Sequence, residues 1–132
     1  MKRLLFIILS ILCNFPIFGQ ARLGSTVSQI VSEFSDKKYE LKGHHSDEGT
    51  YYITINNDGD TIAYYFDADK ICYCCAIIPE NTGSLNTFVE YYNNHYVIIS
   101  ATEWKMYSEN GIADIMLIYP DDGGYYFIWK KE

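Results

Sequence analysis

The 132-residue chain carries 17 acidic and 10 basic side chains, a net charge of −7, and 17% of its residues are aromatic, with 13 tyrosines among them. Such a charge repels phosphate backbones and anionic lipid headgroups, so neither nucleic acid nor a charged membrane surface is an expected partner. The aromatic residues supply more buryable surface than a disordered acidic tail would carry.

The chain opens with MKRLLFIILSILCNFPIFGQ. Lys2 and Arg3 precede an apolar stretch from Leu4 to Leu12, and small Gly19 stands before Gln20. This is the pattern of a secretory signal cleaved after Gly19. The stretch is shorter than the roughly 20 residues of a membrane span, which disfavours an uncleaved anchor. Cys13 could serve as a lipid-bearing cysteine, but Leu12 stands where a small residue belongs. The expectation is therefore a signal peptide over 1–19, a single α+β domain over 20–132, and a secreted or periplasmic location. Removing Lys2 and Arg3 leaves eight basic against 17 acidic residues, a net −9.

The mature part reads as one unit used twice, over about 23–79 and 80–132. In GSTVSQIVSEF, Val27, Ile30, Val31 and Phe34 follow a helical stripe, and Thr26 with Gln29 forms a capping box. In TGSLNTFVEYYNN, Leu85, Phe88, Val89 and Tyr92 repeat those offsets, with Ser84 as the cap. Each helix is expected to run about three turns. After each, the hydrophobic period becomes two. Strands are expected near 39–44, 50–56, 61–66 and 71–78, then 95–100, 103–108, 112–119 and 124–130. The turns NNDGD, ENG and PDDGG supply residues that tolerate positive φ. Two tandem α-β-β-β-β units imply one antiparallel sheet with both helices on one face.

GSTVSQI resembles the helix start of the SmpA/OmlA family of small outer-membrane lipoproteins, and YYFDADKI is similar to that family's strand–turn–strand. The tandem pattern looks like the β-lactamase inhibitor protein fold. The likeness covers about residues 23–78 by motif and the second half by pattern only. It departs from the family where SDKK (35–38) follows the first helix in place of Gly-x-Pro. It implies a protein-binding sheet and carries over neither an assembly nor an inhibitor role.

ICYCC (71–75) places three cysteines in five positions. With DADK (67–70) as a four-residue hairpin loop, Phe66 faces Ile71, Tyr64 faces Tyr73 and Ile62 faces Cys75. Cys72 and Cys74 then share one side and Cys75 takes the other. A closed zinc site needs four convergent ligands, and a Cys72–Cys74 disulfide would stretch the i, i+2 spacing of a strand. Small packing side chains are the expectation, with at least one odd thiol. GHHSDEG (43–49) is expected as a solvated loop rather than a two-histidine clamp, and the acids of FDADK as turn formers rather than calcium ligands. No metal or cofactor is expected.

No nucleophile elbow, phosphate-cradling loop or dinucleotide fingerprint is present, so no catalytic residue is assigned. The paired tyrosines are more telling, since neighbours in a strand face opposite sides. Tyr52, Tyr65 and Tyr126 are expected on the face away from the helices. Met116 and Ile118 join them through the alternation that also places Asp114 there. Those five residues are the expected contact surface for an unidentified protein partner. A small ligand held in a cleft is the competing expectation, and an envelope enzyme built on His95 with Cys72 a third.

Overall fold

The computed structural model describes residues 22–109 and 111–132. The expected signal peptide over 1–19 and Cys13 lie outside the described residues.

Helix α1 spans Val27–Glu33 and begins with the expected capping box. Thr26 Oγ1 accepts from the Gln29 amide at 3.2 Å, and Gln29 Oε1 accepts from the Thr26 amide at 2.8 Å. Seven residues are too few for an independent helix, so α1 depends on its neighbours. Its entry segment is laced to the chain near Ile71. The Gly24 amide donates to the Cys72 carbonyl and the Cys72 amide to the Ser25 carbonyl, both at 2.8 Å. Ile30 and Phe34 are buried. Val31, expected on the same stripe, is instead 37% exposed, because a two-turn helix turns only a narrow face inward. A single 3-10 turn, Lys37–Tyr39, follows.

Four strands come next: β1 (Lys42–His45), β2 (Tyr51–Asn57), β3 (Asp60–Phe66) and β4 (Cys72–Ile78). Asp58 and Gly59 join β2 to β3 at φ of 53° and 94°, the left-handed geometry that tight hairpins need. Helix α2 spans Thr82–His95 and is longer than the expected three turns. Its cap is Asn81, not Ser84. Asn81 Oδ1 accepts from the Ser84 amide at 2.9 Å, so Gly83 sits in the first turn instead of ending the loop. Strands β5 (Val97–Ser100), β6 (Glu103–Ser108), β7 (Gly111–Ile118) and β8 (Tyr126–Lys131) complete the chain.

The eight strands form one sheet in the order β1-β2-β3-β4-β8-β7-β6-β5, with every pair antiparallel. With the two α-helices among the described residues this is the expected α+β class. Tyr64, Cys75, Trp129, Ile115 and Trp104 are successive cross-strand neighbours, none more than 2% exposed. Phe34 stacks on Tyr64 with ring centroids 5.9 Å apart. Tyr92 meets Phe127, Trp104 and Trp129 at 5.1, 5.5 and 5.6 Å. Burial of these large rings is the main stabilising contribution, at about 25 cal/mol per Å² of apolar area.

The expected cysteine arrangement is overturned here. Tyr64 opposes Cys75, Tyr65 opposes Cys74 and Phe66 opposes Cys72, with a register shift between Tyr65 and Phe66. Tyr73 is the extra residue of the resulting bulge and is 49% exposed instead of facing Tyr64. Cys72 therefore joins Cys75 in the core, and Cys74 is alone on the other side. Two extra hydrogen bonds hold this register: Asp67 Oδ1 accepts from the amides of Asp69 and Ile71 at 2.9 and 3.0 Å. The same two bonds occupy the Asp67 carboxylate within its own turn.

Candidate functional site

Cross-strand pairing and alternation place Tyr52, Tyr65, Met116, Ile118 and Tyr126 on a single side of the sheet, opposite to Tyr64. Tyr52 opposes Tyr65, and Ile118 opposes Tyr126. Met116 opposes Ile128, which in turn opposes Ala76. All five are half-buried. The central row across this side is continuous through all eight strands: His44, Tyr52, Tyr65, Cys74, Lys130, Asp114, Lys105 and Val97.

That row has an aromatic half and a charged half. His44 stacks on Tyr52 with centroids 4.8 Å apart, and Tyr52 on Tyr65 at 5.3 Å. His44 Nε2 lies 2.9 Å from Thr54 Oγ1, which fixes the ring over the ladder. Cross-strand ring pairs of this kind add about 0.5–1.5 kcal/mol beyond simple burial. GHHSDEG is thus partly strand, not all loop, because His44 and His45 each find a tyrosine on their own face. At the other end, Lys105 Nζ lies 3.6 Å from Asp114 Oδ1 and 3.1 Å from Glu132 Oε2. The Glu132 hydrogen bond raises the affinity of Lys105 for its proton, with Asp114 adding to it.

Between the halves lies an open depression of about 440 Å³, lined by Tyr65, Tyr73, Cys74, Ala76, Ile78, Tyr126 and Ile128. Its floor is low because Ala63 and Ala76 oppose one another and are buried beneath larger neighbours. Burial pushes the Tyr65 hydroxyl and the Cys74 thiol up from their ordinary values. Lys130 pulls Cys74 the other way without overcoming it. Both groups are therefore neutral near pH 7, and the depression offers aromatic, aliphatic and thiol surface with weak donors.

Tyr73, Ile78 and Ile128 belong to this surface although the sequence did not place them there. The bulge that exposes Tyr73 has no local signature. Ile128 shares its side with Tyr126 by alternation along β8. Of the third candidate pair, His95 stacks on Tyr91 at 3.9 Å, while Cys72 is buried opposite Phe66. Among the described residues no three His, Cys, Asp or Glu side chains converge as a metal-holding group, and no helix is long and apolar enough to cross a membrane. No family model, curated protein or solved structure matches the chain.

Proposed function

We propose that the chain is an exported, non-catalytic domain that binds another protein through the Tyr65 side of its sheet, both helices lying over the Tyr64 side. The observation that carries this reading is the shared neighbour of two helix contacts. Phe34, the C-cap of α1, packs on Tyr64 and Tyr92 of α2 packs on Trp129, and Tyr64 and Trp129 both oppose Cys75. The opposite side then keeps its tyrosines, Met116 and Ile118 for a partner. Rigid aromatic and methionine side chains are enriched at such contacts because they offer large area at low entropic cost.

The strand order also supports a duplicated helix-and-four-strands unit, since the two runs of four meet as mirror halves at β4 and β8. The likeness of Gly24–Ile30 and Tyr64–Ile71 to the SmpA/OmlA family belongs to the same proposal, at the level of fold. A secreted or periplasmic location rests on the leader sequence. The breadth of the depression favours a protein surface over a small ligand, which is ordinarily enclosed on most sides.

Capture of a defined partner from an envelope extract, followed by mass identification, tests the reading. Replacing Tyr65 and Met116 together by alanine is expected to weaken capture at least tenfold in a chain that stays folded, its melting temperature lowered by the lost stack on Tyr52. Parallel loss of fold and capture, or undiminished capture, would remove the face from consideration.

A further inference from the structure

The two edges of the sheet differ in kind. The β1 edge carries Lys42, His44 and His45, polar and basic residues of the sort that discourage strand addition. The β5 edge has all four residues exposed, and Val97, Ile98 and Ile99 keep 49%, 55% and 48% of their surface open to solvent. Around it, residues 96–102 contain no charge, proline or glycine, although the whole chain is net −7.

Apolar side chains stand on both sides of this edge. Val97 opposes Lys105 and so shares the Tyr65 side, whereas Ile98 opposes Trp104 on the core side. Trp104 is fully buried, yet its neighbour Ile98 is more than half exposed. α2 ends at His95 and joins β5 through Tyr96 alone, and this junction leaves the Ile98 side chain uncovered. Among the described residues no strand pairs with the outer side of β5, so an occupant of this edge must be an extended strand that takes up its backbone groups. It must also be apolar on both faces and uncharged. β5 itself meets each condition.

We propose that β5 pairs antiparallel with β5 of a second copy about a two-fold axis, continuing the sheet across two chains. A two-fold seam brings each residue class against itself, and the neutral stretch lets two acidic chains meet without like charges face to face. Four residues at about 3.3 Å each make a short seam, well below the roughly 1,200–2,000 Å² of a standard interface. The bulge between Ile98 and Ser100 shortens it further. Association is therefore weak, micromolar or weaker. The proposal is independent of the Tyr65-side reading, and either can fail alone.

Sedimentation equilibrium of the purified exported chain, under reducing conditions and over a concentration series, tests it. The expected result is a reversible dimer that the double change Ile98→Lys and Ile99→Lys weakens by about tenfold or more, since it sets like charges across the seam. Tyr107→Lys, exposed on β6 and away from the seam, is expected to leave the dimer unchanged. Amide exchange of the unmodified chain supplies a readout free of folding effects, with those amides of Val97–Ser100 that face away from β6 gaining protection as concentration rises. A chain that stays monomeric, or a dimer indifferent to the lysine pair, overturns the proposal. Protection of those amides by envelope extract in a monomeric chain would likewise overturn it, assigning the edge to a foreign strand.

Discussion

Trp129 donates its indole N–H to the hydroxyl of Tyr92 across 3.1 Å, in a core where neither residue has any exposed surface. The bond joins α2 to β8, the strand that seams the two halves of the sheet. Without its hydroxyl, Tyr92→Phe leaves a buried indole donor with no acceptor, at a cost of about 1–3 kcal/mol. Trp104 makes a similar bond to Asn93 Oδ1 at 2.8 Å, but Asn93 is exposed and water can replace it. Chemical denaturation should therefore show a clear loss for Tyr92→Phe and a smaller one for Asn93→Ala. Equal losses would mean that the buried bond has no special weight.

Asp60 ties a hairpin to a helix. Its Oδ1 accepts from the Glu80 amide at 2.8 Å and from Ser84 Oγ at 2.7 Å, beside the N-terminus of α2. A carboxylate there also faces the positive end of the helix dipole. Asp60→Ala is expected to cost about 1–3 kcal/mol, and Asp60→Asn less, because one acceptor oxygen survives. Denaturant midpoints of the two variants check the order. A reversed order would show that a surviving acceptor oxygen at this position does not stabilise the fold.

The same bond explains why the cap of α2 was misplaced from sequence. Ser84 has the chemistry of a cap, but Asp60, 24 positions earlier, claims its hydroxyl, and Asn81 takes the role. Strand positions were legible because period-two alternation is a local property of residues such as Ile53, Ile55, Ile62 and Tyr64. Register was not. The bulge at Tyr73 depends on how the Asp67 turn and the Gly24–Ser25 segment grip the start of β4. The face of Trp129 depended on the partners β4 and β7, which lie on either side of β8. Alternation within a strand gives only which residues share a side along that strand; that Tyr52, Tyr65, Met116, Ile118 and Tyr126 share one side follows from the cross-strand registers.

The bulge also sorts the thiols by access. Cys74 is half-buried on the Tyr65 side, whereas Cys72 is 2% and Cys75 0% exposed. Alkylation of the native chain should modify Cys74 first and spare the other two until the protein unfolds. Peptide mapping after timed labelling reads the order directly. Prior modification of Cys74 should also hinder partner capture, since its sulfur lines the depression. Fast labelling of Cys72 in the folded chain would contradict the register of β3 against β4.

Alkaline pH should destabilise the fold through these same groups. Burial pushes the Cys72 thiol from an ordinary value near 9 up to about 12 and raises Cys75 as well. Tyr64 and Tyr92 are raised by burial from an ordinary value near 10. In each case the unfolded chain gives up its proton first, so above the unfolded value the folded state holds more protons. The contribution is fully present below about 9 and is lost for Cys72 as pH climbs from about 9 to about 12. Since the tyrosines begin to lose protons about one unit later, the first part of the decline belongs to the thiols. Urea midpoints measured along a pH series should fall from about 9 in the parent chain. In a Cys72→Ala/Cys75→Ala variant the baseline is lower, from lost packing, but the main fall should start about one pH unit higher, with half-buried Cys74 alone contributing before it. An unchanged onset would place the early titration elsewhere than in the two core thiols.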